Sequence, residues 1–243
     1  MLFAYQIGMP YLPRYLIISD GNTFHVTWQC HNKNWLLQWG WAKQIYYDLL
    51  LKYKDKYHVE IHSYCFMDNH PHLTGCLKNK EEFSAFFRIV NGLFARTVNK
   101  KMGRRGQIVM DRFKSPVIED DKHLLTAMTY GDLNPCRAKK ISHPKEYKWS
   151  SYTYYAYGRE DPLITPAPSY LALGDTPRER QQTYIGMVEE LLVAPRKINI
   201  SNTYFIGNPD WVIRKYREFK EKLLIIIFGA NQVALPVKII EPT

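Results

Sequence analysis

Strand-type and helix-type spacing alternate along this chain in the order β-α-β-β-α-β-α. That order predicts an α+β fold, a ferredoxin-like antiparallel sheet with helices on its faces. Two further observations support it. Asp68-Asn69 sits between two apolar strand-like runs and suits a tight hairpin turn. The 243 residues are 46% hydrophobic, with 18 Tyr, 11 Phe and 6 Trp, enough to build a core and to exclude global disorder.

The elements follow in order. Residues 23–30, rich in β-branched and aromatic side chains, predict a first strand. Trp41, Ile45, Leu49 and Tyr53 recur every four residues and predict a helix over 39–54. Residues 59–67 and 70–77 predict the second and third strands, a central hairpin that would set His70 and His72 in mid-sheet. Phe83, Phe86, Phe87, Val90, Leu93 and Phe94 predict a helix over 81–100. Short extended pieces at 107–110 and 116–118 flank a basic turn, and Asp120 or Asp121 would cap a helix running to about residue 133. Residues 150–158 read as a tyrosine-rich connector, with helices beyond it at 177–193 and 209–228. The C-terminal third is therefore expected to be a helical accessory region.

The formal net charge of +10 favours a polyanionic partner such as nucleic acid. Lys100, Lys101, Arg104, Arg105, Arg112 and Lys114 lie close together, opposed there only by Asp111. Gly103 and Gly106 leave that backbone free to approach a strand. Trp28, Phe113 and the tyrosines at 152–157 are candidate stacking platforms for the bases of such a partner. Cys30, Cys65, Cys76 and Cys136 form no close pair, which suggests neither a zinc knuckle nor a disulfide framework and fits a reducing cytoplasm. The N-terminus lacks a basic start and a long apolar core, so it is a poor signal peptide; Met9-Pro10 would also begin a chain of the expected form. The apolar run at 223–230 falls far short of the roughly 20 residues a membrane helix needs.

His70 and His72 are two apart on an expected strand, so both point to one face, where neutral imidazoles could share a cation. A lone histidine is more often packed or surface-exposed, and His25 reads as a structural histidine that could also line the site. Tyr130 and Asn134, four apart, share a helix face. Pro135 disfavours the helical region for the residue before it, which places Asn134 at a helix end or kink.

These motifs together resemble single-tyrosine HUH transposases, in particular the REP-associated tyrosine transposase branch of the insertion-sequence transposase-like family. Met67-Asp68-Asn69-His70-Pro71-His72-Leu73 is similar to M-x-N-H-x-H-L. Tyr130-Gly131-Asp132-Leu133-Asn134-Pro135-Cys136-Arg137-Ala138 is similar to Y-x-x-x-N-P-x-R-A. Phe24–Trp28, Arg105-Gly106-Gln107, Asp111–Ser115 and Trp149-Ser150-Ser151-Tyr152 match in order between and around them. Tyr170 to Gly174, with Arg178, Arg180 and Tyr184, resembles the C-terminal region of the branch. Two residues depart from the pattern. Pro71 replaces a bulky aliphatic and donates no ladder hydrogen bond; Gly131, beside the tyrosine, loosens a helix by roughly 1 kcal/mol relative to alanine.

The resemblance implies an HUH endonuclease fold over 23–152, an N-terminal extension at 1–22, and an accessory region at 153–243 that is a candidate for nucleic-acid contact. It implies single-strand DNA endonuclease and strand-transferase activity on hairpin DNA, in transposition or repeat processing. Tyr130 would form a 5′-phosphotyrosine intermediate, and His70, His72 and Asn134 would hold Mg²⁺ or Mn²⁺. Lys100, Lys101, Arg104, Arg105, Arg112, Lys114 and Arg137 would contact DNA. The enzyme would be cytoplasmic, a monomer or homodimer, with no membrane partner. The alternatives are a domesticated, non-catalytic hairpin DNA- or RNA-binding module of the same fold, and a metal-dependent hydrolase that activates water.

Overall fold

The computed structural model describes residues 14–194 and 203–228. The sequence expectations for residues 1–13, including the alternative start and most of the N-terminal extension, lie outside the described residues. The chain runs β1 (Thr23–Thr27), α1 (Gly40–Lys54), β2 (Val59–Phe66), β3 (Pro71–Leu77), α2 (Lys80–Lys101), β4 (Val117–Ile118) and α3 (Asp121–Arg137). It continues with α4 (Tyr152–Tyr157), α5 (Pro168–Leu171), α6 (Pro177–Val193), β5 (Phe205–Ile206) and α7 (Pro209–Phe228). The expected α+β architecture is present, helical C-terminal region included.

The sheet order is β2-β3-β1-β4-β5, antiparallel except for the β4–β5 pair. Alternation along the strands separates two faces. Phe24 meets Phe83 and Phe87 of α2, and Phe66 meets Tyr46 of α1, so α1 and α2 cover one face. The other face carries His25 and His72 and receives α3, where Tyr130 meets His72. The helices are anchored as their sequences suggest. The Asn79 side chain accepts the Glu81 and Glu82 N–H groups at the start of α2, and Asp120 accepts that of His123 at the start of α3. Thr176 and Glu179 form a reciprocal capping box on α6.

Several expectations need correction. The β2–β3 hairpin is not central, because β2 is an edge strand; only β3 is interior. His70 lies just before β3 rather than within it. β1 ends at Thr27, short of the expected residue 30, and Cys30 beyond it forms an isolated bridge with Val109 outside the named strands. The tyrosine-rich connector is helix α4, with Tyr152 and Tyr155 fully buried. Tyrosine can join a core when its hydroxyl finds a partner. Tyr155 donates to the His62 carbonyl at 2.5 Å, and Tyr170 of α5 donates to the Tyr155 carbonyl at 3.0 Å.

The exposed edge of β2 is a liability that the following segments cover. Phe66 N–H donates to Trp149 O at 2.9 Å, Ser151 N–H to Tyr64 O at 2.9 Å, and Thr165 N–H to Ile61 O at 2.8 Å. One hydrophobic core then extends from Leu16 through the sheet and α3 into α4, α5, α6 and Phe219 of α7.

Candidate functional site

The turn between β2 and β3 fixes the two histidines. Met67 N–H donates to the His70 carbonyl at 2.9 Å, closing a tight turn over Asp68-Asn69. Asp68 is clamped by Lys43 of α1 at 2.9 Å and by Lys140, just past α3. Burial works to raise its carboxyl, but the two ammonium groups hold it below the ordinary carboxylate value. The loop after β1 is pinned to the same turn, with Cys30 N–H on Asn69 O and Leu37 N–H on Asp68 O, both at 2.8 Å.

The rings of His70 and His72 lie 4.8 Å apart, edge to face. In each, Nδ1 is engaged: His70 with the Asn69 side-chain oxygen at 2.6 Å, His72 with His25 Nε2 at 3.0 Å. Nε2 is therefore the nitrogen each ring has left for a ligand. Burial lowers the basicity of all three: His25 to about 3, His72 well below its usual value and His70 below it. They are neutral at physiological pH, the form that ligates metals.

Helix α3 brings Tyr130 to this pair, its ring 6.1 Å from that of His72. Arg137, two turns on, lies over the Tyr130 ring at 4.3 Å and donates from Nη1 to the Tyr130 carbonyl at 2.8 Å. Its Nη2 is buried without a protein partner, and so is the Asn134 amide nitrogen. Asn134 sits inside α3, not at its end, because the helix runs through Pro135 to Arg137. Proline at that position has no N–H to give the carbonyl of Gly131, four residues back, so that one rung of the helix is missing. The turn between Tyr130 and Asn134 nevertheless stays helical and keeps both on one face.

This donor set fits a divalent cation. Two neutral imidazoles have Nδ1 engaged and Nε2 left over, and an asparagine such as Asn134 would add its amide oxygen, not its NH2, as a ligand. Nitrogen ligands suit Mn²⁺ better than Mg²⁺. Another cluster, Glu119, Asp120 and His123, has ligand atoms within 4.8 Å of one another. Those groups are committed elsewhere: Asp120 caps α3 and bonds His123 Nδ1 at 2.7 Å, while Glu119 accepts the Asn208 N–H at 2.5 Å.

The basic residues divide into two sets. Lys100 and Lys101 end α2, with the Lys101 ammonium 4.8 Å from the Trp41 ring. Arg104 is half-buried and Arg105, Arg112 and Lys114 are exposed on the loop that follows. That loop packs on residues 27–31 through Thr27 N–H to Lys114 O at 3.2 Å and His31 N–H to Ile108 O at 2.7 Å. The segment after β1 thus stands between the basic loop and the histidine turn. Arg137 alone of the seven lies on Tyr130. The proposed stacking platforms fare worse. Trp28, Phe113, Tyr152 and Tyr155 are buried and have no face to offer a base; of the tyrosines in α4, only Tyr157 is largely exposed.

Two residues of the site were not foreseen in these roles. His25 pairs across the sheet with Thr74, two positions along from the Thr27–His72 pair, so it shares the face of His72. Asp132, between Tyr130 and Asn134, turns to the other side of α3. There it accepts the Tyr184 hydroxyl of α6 at 2.7 Å. Burial raises its carboxyl to about 7, although the Tyr184 hydroxyl pulls it back. Strand alternation could have flagged His25; nothing local to Asp132 announces a partner 52 residues away.

Residues 19–116 match the family model described as IS200-like transposase. Among solved structures, the chain is similar to a REP-associated tyrosine transposase bound to a REP hairpin. The two share 20% identity with a TM-score of 0.52, over 65% of this chain and 93% of the other. No curated protein sequence matches the chain. Among the described residues, no helix is long and apolar enough to cross a membrane.

Proposed function

We propose that this protein, whose residues 19–116 match the family model described as IS200-like transposase, cleaves and rejoins single-stranded DNA beside hairpins through a covalent tyrosine intermediate. The single observation that carries the reading is the convergence of Tyr130, His70 and His72 on one face of the sheet, with Arg137 over the tyrosine ring. The matched family and a neighbour solved on a hairpin support it.

Tyr130 Oη attacks the scissile phosphorus; the P–O3′ bond breaks, the phenolic proton is lost, and the 3′ oxygen leaves as a hydroxyl once protonated. A 5′-phosphotyrosine stores the bond, and attack by a 3′-OH reverses the step. His70, His72 and Asn134 would hold Mg²⁺ or Mn²⁺, which supplies charge neutralisation and orientation at a phosphate oxygen. The Arg137 Nη2 donor, buried without a protein partner, suits the same phosphate. Lys100, Lys101, Arg104, Arg105, Arg112 and Lys114 form the outer track for the backbone. We assign catalysis to 23–152, with 1–22 as an extension and 153–243 as an accessory region, of which α6 is bonded to α3 through Tyr184 and Asp132. The protein works as a monomer or homodimer.

The test is incubation with hairpin-bearing single-stranded DNA and Mn²⁺. A covalent adduct mapped to Tyr130 is expected, and Tyr130→Phe should abolish it while DNA affinity stays within about twofold. Cleavage that survives Tyr130→Phe would point to a water-activating hydrolase. Tight binding without any adduct would point to a non-catalytic hairpin-binding module.

A further inference from the structure

Of the six tryptophans, Trp35 alone is largely exposed, at 60%. It is nevertheless held firmly. Leu36 and Leu37, which follow it, are buried, and Gln38 N–H donates to the Trp35 carbonyl at 3.1 Å. The loop carrying it is bonded to the histidine turn at three points: Cys30 to Asn69, Leu37 to Asp68, and the Asn69 side chain to Lys33 O at 3.3 Å.

The surroundings are cationic. The Lys140 ammonium lies 5.7 Å from the Trp35 ring while pairing with Asp68. Lys33 and Lys139 are exposed on either side. Among the described residues, Asn32 at 52° and Lys33 at 55° are consecutive non-glycine positions with positive φ just before Trp35, whereas Lys139 at 56° is the ordinary left-handed residue that closes α3, with Lys139 N–H on Cys136 O and Lys140 N–H on Pro135 O. Lysine gains nothing by itself from the left-handed region, and such outliers collect where function over-determines the backbone.

We propose that Trp35 is a base-stacking platform for an unpaired nucleotide of the DNA strand beside the histidine turn, with Lys33 and Lys140 facing its phosphates. An indole stacks on any base, so the contact adds affinity and places the strand without reading sequence. The proposal rests on the single-strand DNA reading above and adds a position on the strand to it.

The experiment measures binding in EDTA, by fluorescence anisotropy, of a DNA hairpin with a single-stranded flank. Wild type, Trp35→Ala and Trp35→Phe are compared, each first shown to melt as a folded protein. Trp35→Ala should weaken binding about fivefold to a hundredfold, and Trp35→Phe should keep most of the affinity. An abasic nucleotide stepped along the flank should weaken wild type at one position and leave Trp35→Ala insensitive there, which a purely structural tryptophan would not produce. Equal affinities for wild type and Trp35→Ala would overturn the platform, while a Tyr130 adduct in wild type would leave the transposase reading standing. Wild type that binds no single-stranded DNA and forms no adduct would overturn both.

Discussion

His25 and His72 share a hydrogen bond of 3.0 Å, and which ring donates is set by what occupies His72 Nε2. A cation there requires the Nδ1–H tautomer of His72, with His25 Nε2 accepting. Replacing His25 with phenylalanine keeps the bulk and removes the acceptor. His25→Phe should therefore weaken Mn²⁺ binding by about tenfold to a hundredfold in calorimetric titration, with little change in hairpin affinity in EDTA. Unchanged Mn²⁺ affinity would exclude this positioning role. Residue by residue, spacing was a good guide to which side chains come together and a poor one to exposure. His70, His72 and Tyr130 meet as their spacing and family resemblance suggested. Trp28 and Phe113, read as open aromatic faces, are core side chains, and Trp35 is the exposed one. Both kinds of tryptophan look alike in sequence, because burial depends on what the rest of the chain lays over them.

At the scale of elements, the histidine hairpin depends on a glycine. Gly75 of β3 pairs with Phe24 and with Ile61, beside a bulge in β2. A Cβ there would sit 2.0 Å from the Glu60 carbonyl oxygen and 2.8 Å from the Phe24 ring. Neither β2 nor the Phe24 cluster can yield cheaply, so Gly75→Ala should destabilise the protein by about 1–3 kcal/mol or more in urea denaturation. The basic loop after α2 makes a different kind of prediction. If Arg105 meets a phosphate of the single strand, Arg105→Ala should lower the slope of log K against log salt by about 0.7 without changing which hairpin is preferred. An unchanged slope would place Arg105 off the DNA path. Periodicity and boundary signals placed α1, α2, α6 and α7 to within a residue or so, but α3 runs past its expected end near residue 133, through Pro135 to Arg137. α4 was missed, since a short tyrosine-rich run has no period long enough to declare itself.

Across the whole molecule, the accessory helices are built into the same core as the sheet and reach the back of α3 through Asp132 and Tyr184. Tyr184→Phe deletes one of the donors to the buried Asp132 carboxyl and leaves it only the Ser151 side chain, which should cost about 1–3 kcal/mol in thermal or urea unfolding. The Asp132 carboxyl also ties stability to pH. Its folded value, about 7, lies above the unfolded one, so the native state binds the extra proton between them. This group's contribution is therefore favourable at low pH and is lost as pH rises from about 4 through 7. Melting temperatures of wild type and Asp132→Asn, compared across that window, should diverge as wild type loses stability. A constant difference would show that Asp132 does not titrate there.

The sequence by itself determined the local geometry: strand and helix periods, the hairpin turn, the cap at Asp120, and the identity of the histidines and tyrosine that come together. These depend on neighbours a few positions away, and short-range sterics and hydrogen bonding decide them. Tertiary structure alone decided that β2 is an edge covered by residues 149–151 and 164–165, that His25 backs His72, and that Asp132 ties α3 to α6. It also decided which tryptophan faces outward. Each of these pairings joins positions tens of residues apart, and nothing in a local pattern records which distant surface will arrive to bury, pair or expose a given side chain.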